Sequence, residues 1–371
     1  MRKEYIQQIN PLDKRNVMKF AALERKLLSK YPLAVSYFDD DIFSQLSGKS
    51  AYTKDMSIQA FIASNGADEV ARCAAMINPR YQEAKQEKVG FIGYFAAAAE
   101  CGPIIMQMFN QAESWLKSRE VSRVIAPFNG NAMLGYGLLT DGYEEEPILT
   151  NGWNPPYYVT YFEQAGYRPT YPLLVYTTDF TTPMYQESVE QAKTSKTFKA
   201  RQVDMKKWRS DLDIFRELTN EGFKTEWEWY PLSSDEFYET FNQIKPIYDP
   251  GLMMLAEVDG KPAGISIGIP NWNPLIRICN GKRGIPEYVK FLLHGKHYEN
   301  GGHVIASVKP EFAGMGIGRS MVALVCNRYE ELGLKKAFGY TINVDNKKSR
   351  RMNEALGGTA RLLYHVYDKA I

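Results

Sequence analysis

Three glycines spaced two apart, Gly314, Gly316 and Gly318, lie in the segment VIASVKPEFAGMGIGRSMVAL (residues 304–324). An apolar run ending at Val308 precedes them and an amphipathic stretch follows directly. Glycine lets a backbone approach a ligand closely and adopt left-handed dihedrals. The first N–H groups of a helix have no internal partner and carry the positive end of its dipole. A strand, a glycine loop and a helix start in this order describe a cradle for a phosphate or pyrophosphate. A Walker A loop needs Gly-Lys-Ser/Thr, but Gly318 is followed by Arg319-Ser320. A dinucleotide fingerprint needs GxGxxG at the opening of a βαβ unit; GMGIG is GxGxG and sits near the end of the sequence.

Few other side chains are placed for chemistry. His303 opens the strand before the glycines, where an imidazole could take a proton from an ammonium group. His294, His297 and His303 have HxxH-like spacing, but no cysteine pair or second cluster accompanies them, so no metal is expected. Trp227, Trp229 and Tyr230, in KTEWEWYPL, are either core or the wall of a pocket; Glu226 and Glu228 beside them suit a cationic ligand or simple solvation. In Asn154-Pro155-Pro156-Tyr157-Tyr158 the first residues suit a helix start, which leaves Tyr157 and Tyr158 as candidates to face a substrate cleft. Lys347, Lys348, Arg350 and Arg351 crowd another helix start, where basic residues oppose the dipole and favour a nearby anion.

The elements that must position these residues alternate short strands with amphipathic helices. Strands are expected near 58–63, 70–77, 89–95, 123–126, 252–258, 263–269, 303–308, 336–343 and 362–367, and helices near 103–118, 208–221, 235–244, 318–332 and 347–356. The two halves repeat one another. Ala63 of ASNG precedes Asn78 by fifteen residues, as Ala256 of AEVDG precedes Asn271; Gly166 precedes Tyr176 by ten, as Gly357 precedes Tyr367. The Thr-, Ser- and Lys-rich stretch between the halves has no apolar period. The expected division is a first domain over 1–180, a linker over 181–200 and a second domain over 201–371.

The second half resembles the GNAT (Gcn5-related N-acetyltransferase) superfamily. Its motif Gln/Arg-x-x-Gly-x-Gly/Ala is matched by Ala313-Gly314-Met315-Gly316-Ile317-Gly318, with Val308 and Pro310 where the family's strand ends. Asn343, Asn346, a helix, Leu356-Gly357 and a last strand follow in the family's order, and the likeness covers about 201–371. The first half is similar in order but has AAAAECGP, with a single Gly102 before Pro103, in place of the loop. Gly137-Leu138-Leu139, Asp141-Gly142 and Asn154–Tyr158 resemble a signature of uncharacterised bacterial tandem members.

The resemblance implies a mixed α/β fold of two tandem GNAT-like domains, each a mostly antiparallel sheet flanked by helices. It implies an acyl-CoA-dependent N-acyltransferase using acetyl-CoA or a longer acyl-CoA, with direct attack by a small-molecule amine. Val308, Ala313, Gly314, Met315, Gly316, Ile317, Gly318, Arg319, Ser320 and Asn346 would then hold the acyl-CoA, and Lys347 with its neighbours the 3′-phosphate. Two departures stand out: Ala313 replaces the motif's first polar residue, and Asn353 replaces the family's frequent general-acid Tyr. Asn353 can hydrogen-bond a leaving thiolate but cannot protonate it. A non-catalytic acyl-CoA-binding or sensing protein is the alternative, followed by an aminoacyl-tRNA-dependent ligase.

Of 371 residues, 45 are Lys or Arg and 43 Asp or Glu, a balance that gives no electrostatic footprint for nucleic acid. No apolar run reaches the length of a membrane span, and the four cysteines form no framework. The sequence thus leads us to expect a cytoplasmic protein with no membrane or nucleic-acid partner and room for a homodimer.

Overall fold

The computed structural model describes residues 4–147, 151–294 and 298–371. It divides into two compact units: Met1–Pro172 with Asn273–His297 and Leu363–Ile371, and Leu173–Trp272 with Tyr298–Leu362. The first half runs β1 (Glu4–Ile9), α1 (Lys14–Leu28), α2 (Asp39–Leu46), β2 (Ser57–Asn65), β3 (Asp68–Ile77), α3 (Pro79–Lys85), β4 (Val89–Ala97), α4 (Gly102–Lys117), β5 (Arg123–Ala126), β6 (Leu138–Asp141), α5 (Tyr157–Gln164) and β7 (Arg168–Asp179). The second runs α6 (Pro183–Lys193), β8 (Lys199–Gln202), α7 (Trp208–Phe223), α8 (Ser234–Ile244), β9 (Met253–Val258), β10 (Lys261–Pro270), α9 (Asn273–Cys279), α10 (Ile285–His294), β11 (Asn300–Val308), α11 (Ile317–Glu331), β12 (Lys336–Gly339), β13 (Ile342–Asn343), α12 (Lys347–Glu354) and β14 (Thr359–Ala370).

In the first unit the strands lie in the order β1-β2-β3-β4-β5-β14, and in the second β8-β9-β10-β11-β12-β7. Each order contains one parallel pair, β4 with β5 and β11 with β12; the other registered pairs are antiparallel. The sixth place in each unit is filled by the strand that closes the other half of the sequence. Residues 367–370 of β14 pair with β5, and residues 177–179 of β7 pair with β12.

The repeat extends to local detail. Hairpins join β2 to β3 and β9 to β10; the latter turns on Asp259 (φ 49°) and Gly260 (φ 74°), the all-positive geometry that a two-residue hairpin favours. Gly166 and Gly357 follow α5 and α12 at positive φ, as helix-ending glycines do. β4 and β11 each carry one residue more than their partners β3 and β10, which is a β-bulge.

The stretch 181–200 is not a linker. Thr182 caps α6, whose Tyr185, Ser188, Val189 and Ala192 are buried, and the Tyr185 hydroxyl donates to Glu330 of α11 at 3.0 Å. The buried positions recur at intervals of three and four, a helical stripe that the surrounding Thr and Lys residues obscure. In the first unit α4 and α5 cover the sheet, with Phe95, Phe109 and Phe162 in mutual ring contact. There Lys369 of β14 reaches Glu113 of α4 at 2.8 Å, and Asp368 pairs with Arg123 at 2.8 Å.

Candidate active site

β11 and β12 are paired only from Asn300↔Lys336 to His303↔Gly339; beyond Gly339 no residue of β12 continues beside β11. Residues 305–308 of β11 stay paired with β10 on one side, with Val304 the extra residue of the bulge. A cleft of about 880 Å³ lies here. One wall is Ala306, Ser307 and Val308 with Pro310, Ala313 and Gly318; another is the end of α7 and the turn after it, Glu221–Glu226; the third is Asn343 and Asp345 with Asn346, Ser349 and Met352 around α12. Lys347 and Lys348 stand at its rim, exposed.

The glycine loop has the expected form. Gly314 (φ 85°) and Gly316 (φ 75°) are left-handed, and Gly316 is the residue preceding α11. The first bond of the helix runs from the Ser320 N–H to Gly316 O at 3.1 Å. The N–H groups of Ile317, Gly318 and Arg319 lie ahead of that bond and have no intrahelical acceptor. Asn346 caps α12 by accepting from the Ser349 N–H at 3.1 Å, and its Nδ2 donates to Glu226 at 3.1 Å, tying two cleft walls together.

Not every residue of the predicted acyl-CoA set faces the cleft. Val308, Ala313, Gly318 and Asn346 line it. The Ile317 side chain is buried with Phe198, Ala256, Ala263 and Met321. Met315 is exposed, Arg319 donates to Gln191, and Ser320 is buried in α11. For these residues the backbone, not the side chain, is what the loop offers.

His303 is not available to an acceptor. It is buried, with Nε2 3.1 Å from Cys326 Sγ and its ring edge-on to Tyr329, both on α11. The bulge in β11 is the reason. Strict alternation would put His303 and Ser307 on one face, but Ser307 donates to Leu218 O of α7 at 2.6 Å while His303 meets α11. Burial pushes the imidazole down to about 4. The folded state therefore resists a proton that the unfolded chain accepts below about 6.5. Stability should be full above that pH and fall as the medium is acidified towards 4, by up to about 3 kcal/mol at about 1.4 kcal/mol per unit. Urea melts at stepped pH check this: His303→Gln should flatten the acid limb, whatever its absolute stability.

Asn353 is likewise buried; its Nδ2 donates to Ser349 O at 2.9 Å, and its carboxamide packs over Gly339 of β12. Trp229 and Tyr230 belong to the core: Trp229 bonds Asn220 and touches Phe223, and the Tyr230 hydroxyl donates to Glu236 at 3.1 Å. Trp227 is half-buried and does not line the cleft. The wall comes instead from the residues just before it, Glu221, Lys224, Thr225 and Glu226, of which the sequence reading weighed only Glu226. A usable signal for Ser349 and Met352 existed: they lie three and six residues after Asn346, on one helical face. His297 lies outside the described residues.

Tyr157 and Tyr158 do not face this cleft; they fill its counterpart in the first unit. The Ala97 N–H donates to Tyr158 Oη at 2.8 Å, Tyr157 Oη donates to Ala97 O at 3.0 Å, and Tyr161 Oη accepts from the Cys101 N–H at 3.2 Å and donates to Ala98 O at 2.9 Å. Phenol hydroxyls of α5 thus satisfy the strand end and the helix start. Only four residues, 98–101, separate β4 from α4, against eight between β11 and α11. A cavity of about 90 Å³ is what remains near β4.

A model of the acetyltransferase (GNAT) family matches residues 212–357. The chain is 26% identical over 373 residues to a bacterial ceramide synthase of Caulobacter vibrioides, covering 95% of this chain and 94% of that protein. It is 27% identical over 274 residues to protein YghO of Escherichia coli, covering 73% and 70%. A solved tandem GNAT protein from the clavulanic acid biosynthesis pathway superposes with a TM-score of 0.62 at 11% identity, over 99% of this chain and 98% of that one. Residues 212–357 therefore match the GNAT acetyltransferase family, and the chain as a whole has the fold of a tandem GNAT protein.

Proposed function

We infer that the cleft beside β11 transfers an acyl group from an acyl-CoA to the nitrogen of an amine, with both substrates bound together. The observation that carries this is the open gap between β11 and β12, with the unpaired N–H groups of Ile317, Gly318 and Arg319 at one end. Those donors suit the pyrophosphate, the free edge of residues 304–308 suits the amide-bearing arm, and exposed Lys347 and Lys348 suit the 3′-phosphate. The amine lone pair attacks the thioester carbonyl carbon, the C–S bond breaks, and the thiolate leaves while the nitrogen gives up a proton. A thiolate is a good leaving group, so replacement of the family's Tyr by Asn353 does not forbid the step.

Glu226 is the group we assign to the amine. It lines the cleft and is held by Asn346, so its carboxylate can face an ammonium group and receive its proton, directly or through water. The relative named as a ceramide synthase supports an acceptor of the long-chain amino-alcohol type and a donor longer than acetyl. Glu226→Gln is expected to lower kcat/KM for the amine by roughly a hundredfold or more while leaving acyl-CoA affinity unchanged. Thiol release, followed across acyl-CoAs of rising length and a panel of amines including long-chain amino alcohols, is the measurement. Tight acyl-CoA binding with no thiol release from any pair would favour a sensor, the reading that Asn353, turned onto Gly339 rather than lining the cleft, supports.

A further inference from the structure

Among the described residues, the exposed large apolar side chains are concentrated in one place. Ile278, Ile285, Tyr288, Val289, Leu292 and Leu293 fall within sixteen residues, and Ile285 and Leu293 are 83% and 77% exposed. From Ile285 onward they follow the spacing of one helical stripe on α10, at intervals of three and four, with Glu287 and Lys290 on the opposite side. A helix of a globular core turns such a stripe inward; this one leaves it in solvent.

The base of the segment is firmly held within the first unit. Asn273 Nδ2 donates to Pro147 O at 2.7 Å, Arg277 pairs with Glu146, the Asp39 N–H donates to Gly281 O at 2.9 Å, and Arg283 makes two bonds to Asp41 at 2.6 and 2.7 Å. α10 is thus presented from an anchored platform.

The charge of the segment selects the occupant. Beyond Arg283, whose charge Asp41 neutralises, the sequence between Gly281 and His297 has Lys282, Lys290 and Lys296 against a single acid, Glu287. Two copies meeting through this face would bring like charges together, whereas anionic headgroups would neutralise them while the acyl region receives the stripe.

We propose that α10 is an interfacial helix that lays Ile285, Tyr288, Val289, Leu292 and Leu293 into the surface of an anionic lipid bilayer. No helix among the described residues is long and apolar enough to cross a membrane, so the attachment is peripheral. A single short stripe gives reversible binding that weakens with salt. If the acyl-transfer reading holds, this attachment brings the protein to the phase where long-chain amines and acyl chains reside; the proposal itself does not depend on that reading.

The test is co-sedimentation of the full chain with vesicles of phosphatidylcholine and phosphatidylglycerol, and with phosphatidylcholine alone. The chain should sediment with the anionic vesicles, more weakly as salt rises, and the double variant Leu292→Ser/Leu293→Ser should lower partitioning by at least roughly tenfold. Both side chains are exposed, so the thermal melt of the variant should match wild type. Failure of wild type to bind anionic vesicles, equal binding of the variant, or a dimer that the variant converts to monomer in the absence of lipid binding would each overturn the proposal. Because the assay needs no turnover, its outcome is separate from whether acyl transfer occurs.

Discussion

Titration of acyl-CoA into a Gly318→Glu variant is expected to give no measurable heat, while Gly318→Ala binds and folds normally. Gly318 lines the cleft at the second position of α11, and its φ is not in the left-handed region. A Cβ there would lie 3.4 Å from Val308 Cγ2 and 3.6 Å from Met352 Sδ, ordinary contact, so alanine is accommodated and gains helix propensity of about 1 kcal/mol. A glutamate at the same place puts bulk and negative charge beside the donors we assign to a pyrophosphate. We expect affinity to drop at least a hundredfold, roughly 3 kcal/mol. Gly316 is the less informative target: at φ 75° any side chain strains the backbone by about 1–2 kcal/mol, which mixes folding with binding. In wild type the titration should return one site per chain, because tyrosine hydroxyls occupy the matching backbone groups of the first unit. Two equivalent sites, or unchanged affinity in the glutamate variant, would overturn the assignment.

A fragment beginning at Arg201 and running to the end of the chain should fail to fold, although it contains the whole glycine loop and matches the family. Such a fragment lacks the strand residues Thr177, Thr178 and Asp179 that pair with β12. It also lacks α6, and with it the Tyr185 ring and the bond from its hydroxyl to Glu330 on α11. Loss of one buried aromatic side chain alone costs about 3–5 kcal/mol, a large part of the roughly 5–15 kcal/mol that stabilises a typical domain. An open edge on β12 would in addition template association. Circular dichroism should show no cooperative melt for this fragment. A sharp melt together with acyl-CoA affinity equal to that of the full chain would show that β7 and α6 are dispensable.

How much was legible in the sequence depends on the distance over which each feature is decided. The glycine loop, the start of α11, the Asp259-Gly260 hairpin turn and the glycines that end α5 and α12 are set by dihedrals that few residues besides glycine tolerate, so residue type alone locates them. The strands and helices expected from apolar period are present, but β1, α1, α2, α3, β8, α9 and α10 were not foreseen; the internal repeat followed from spacings that survive in both halves. The α6 stripe was hidden because its polar neighbours outnumber its four buried positions.

Four features were decided only by tertiary structure. The bulge in β11 inverts side-chain alternation after His303 and sends that imidazole into the core against Cys326, and a bulge leaves no mark in residue type. Trp229 and Tyr230 are claimed by Asn220 and Glu236 rather than by a substrate, since a buried N–H or hydroxyl takes whichever partner packing brings near. The tyrosines of α5 are brought onto the end of β4 by chain folding across some sixty residues. The placing of β7 beside β12 and of β14 beside β5 rests on backbone hydrogen bonds that every sequence can make. The sequence by itself determined that a strand, a glycine loop and a helix start meet, because that pattern lies in consecutive residues. Which side chains face the cleft, and which strand closes each unit, tertiary structure alone decided, because backbone pairing is indifferent to residue type and a one-residue bulge reverses a face.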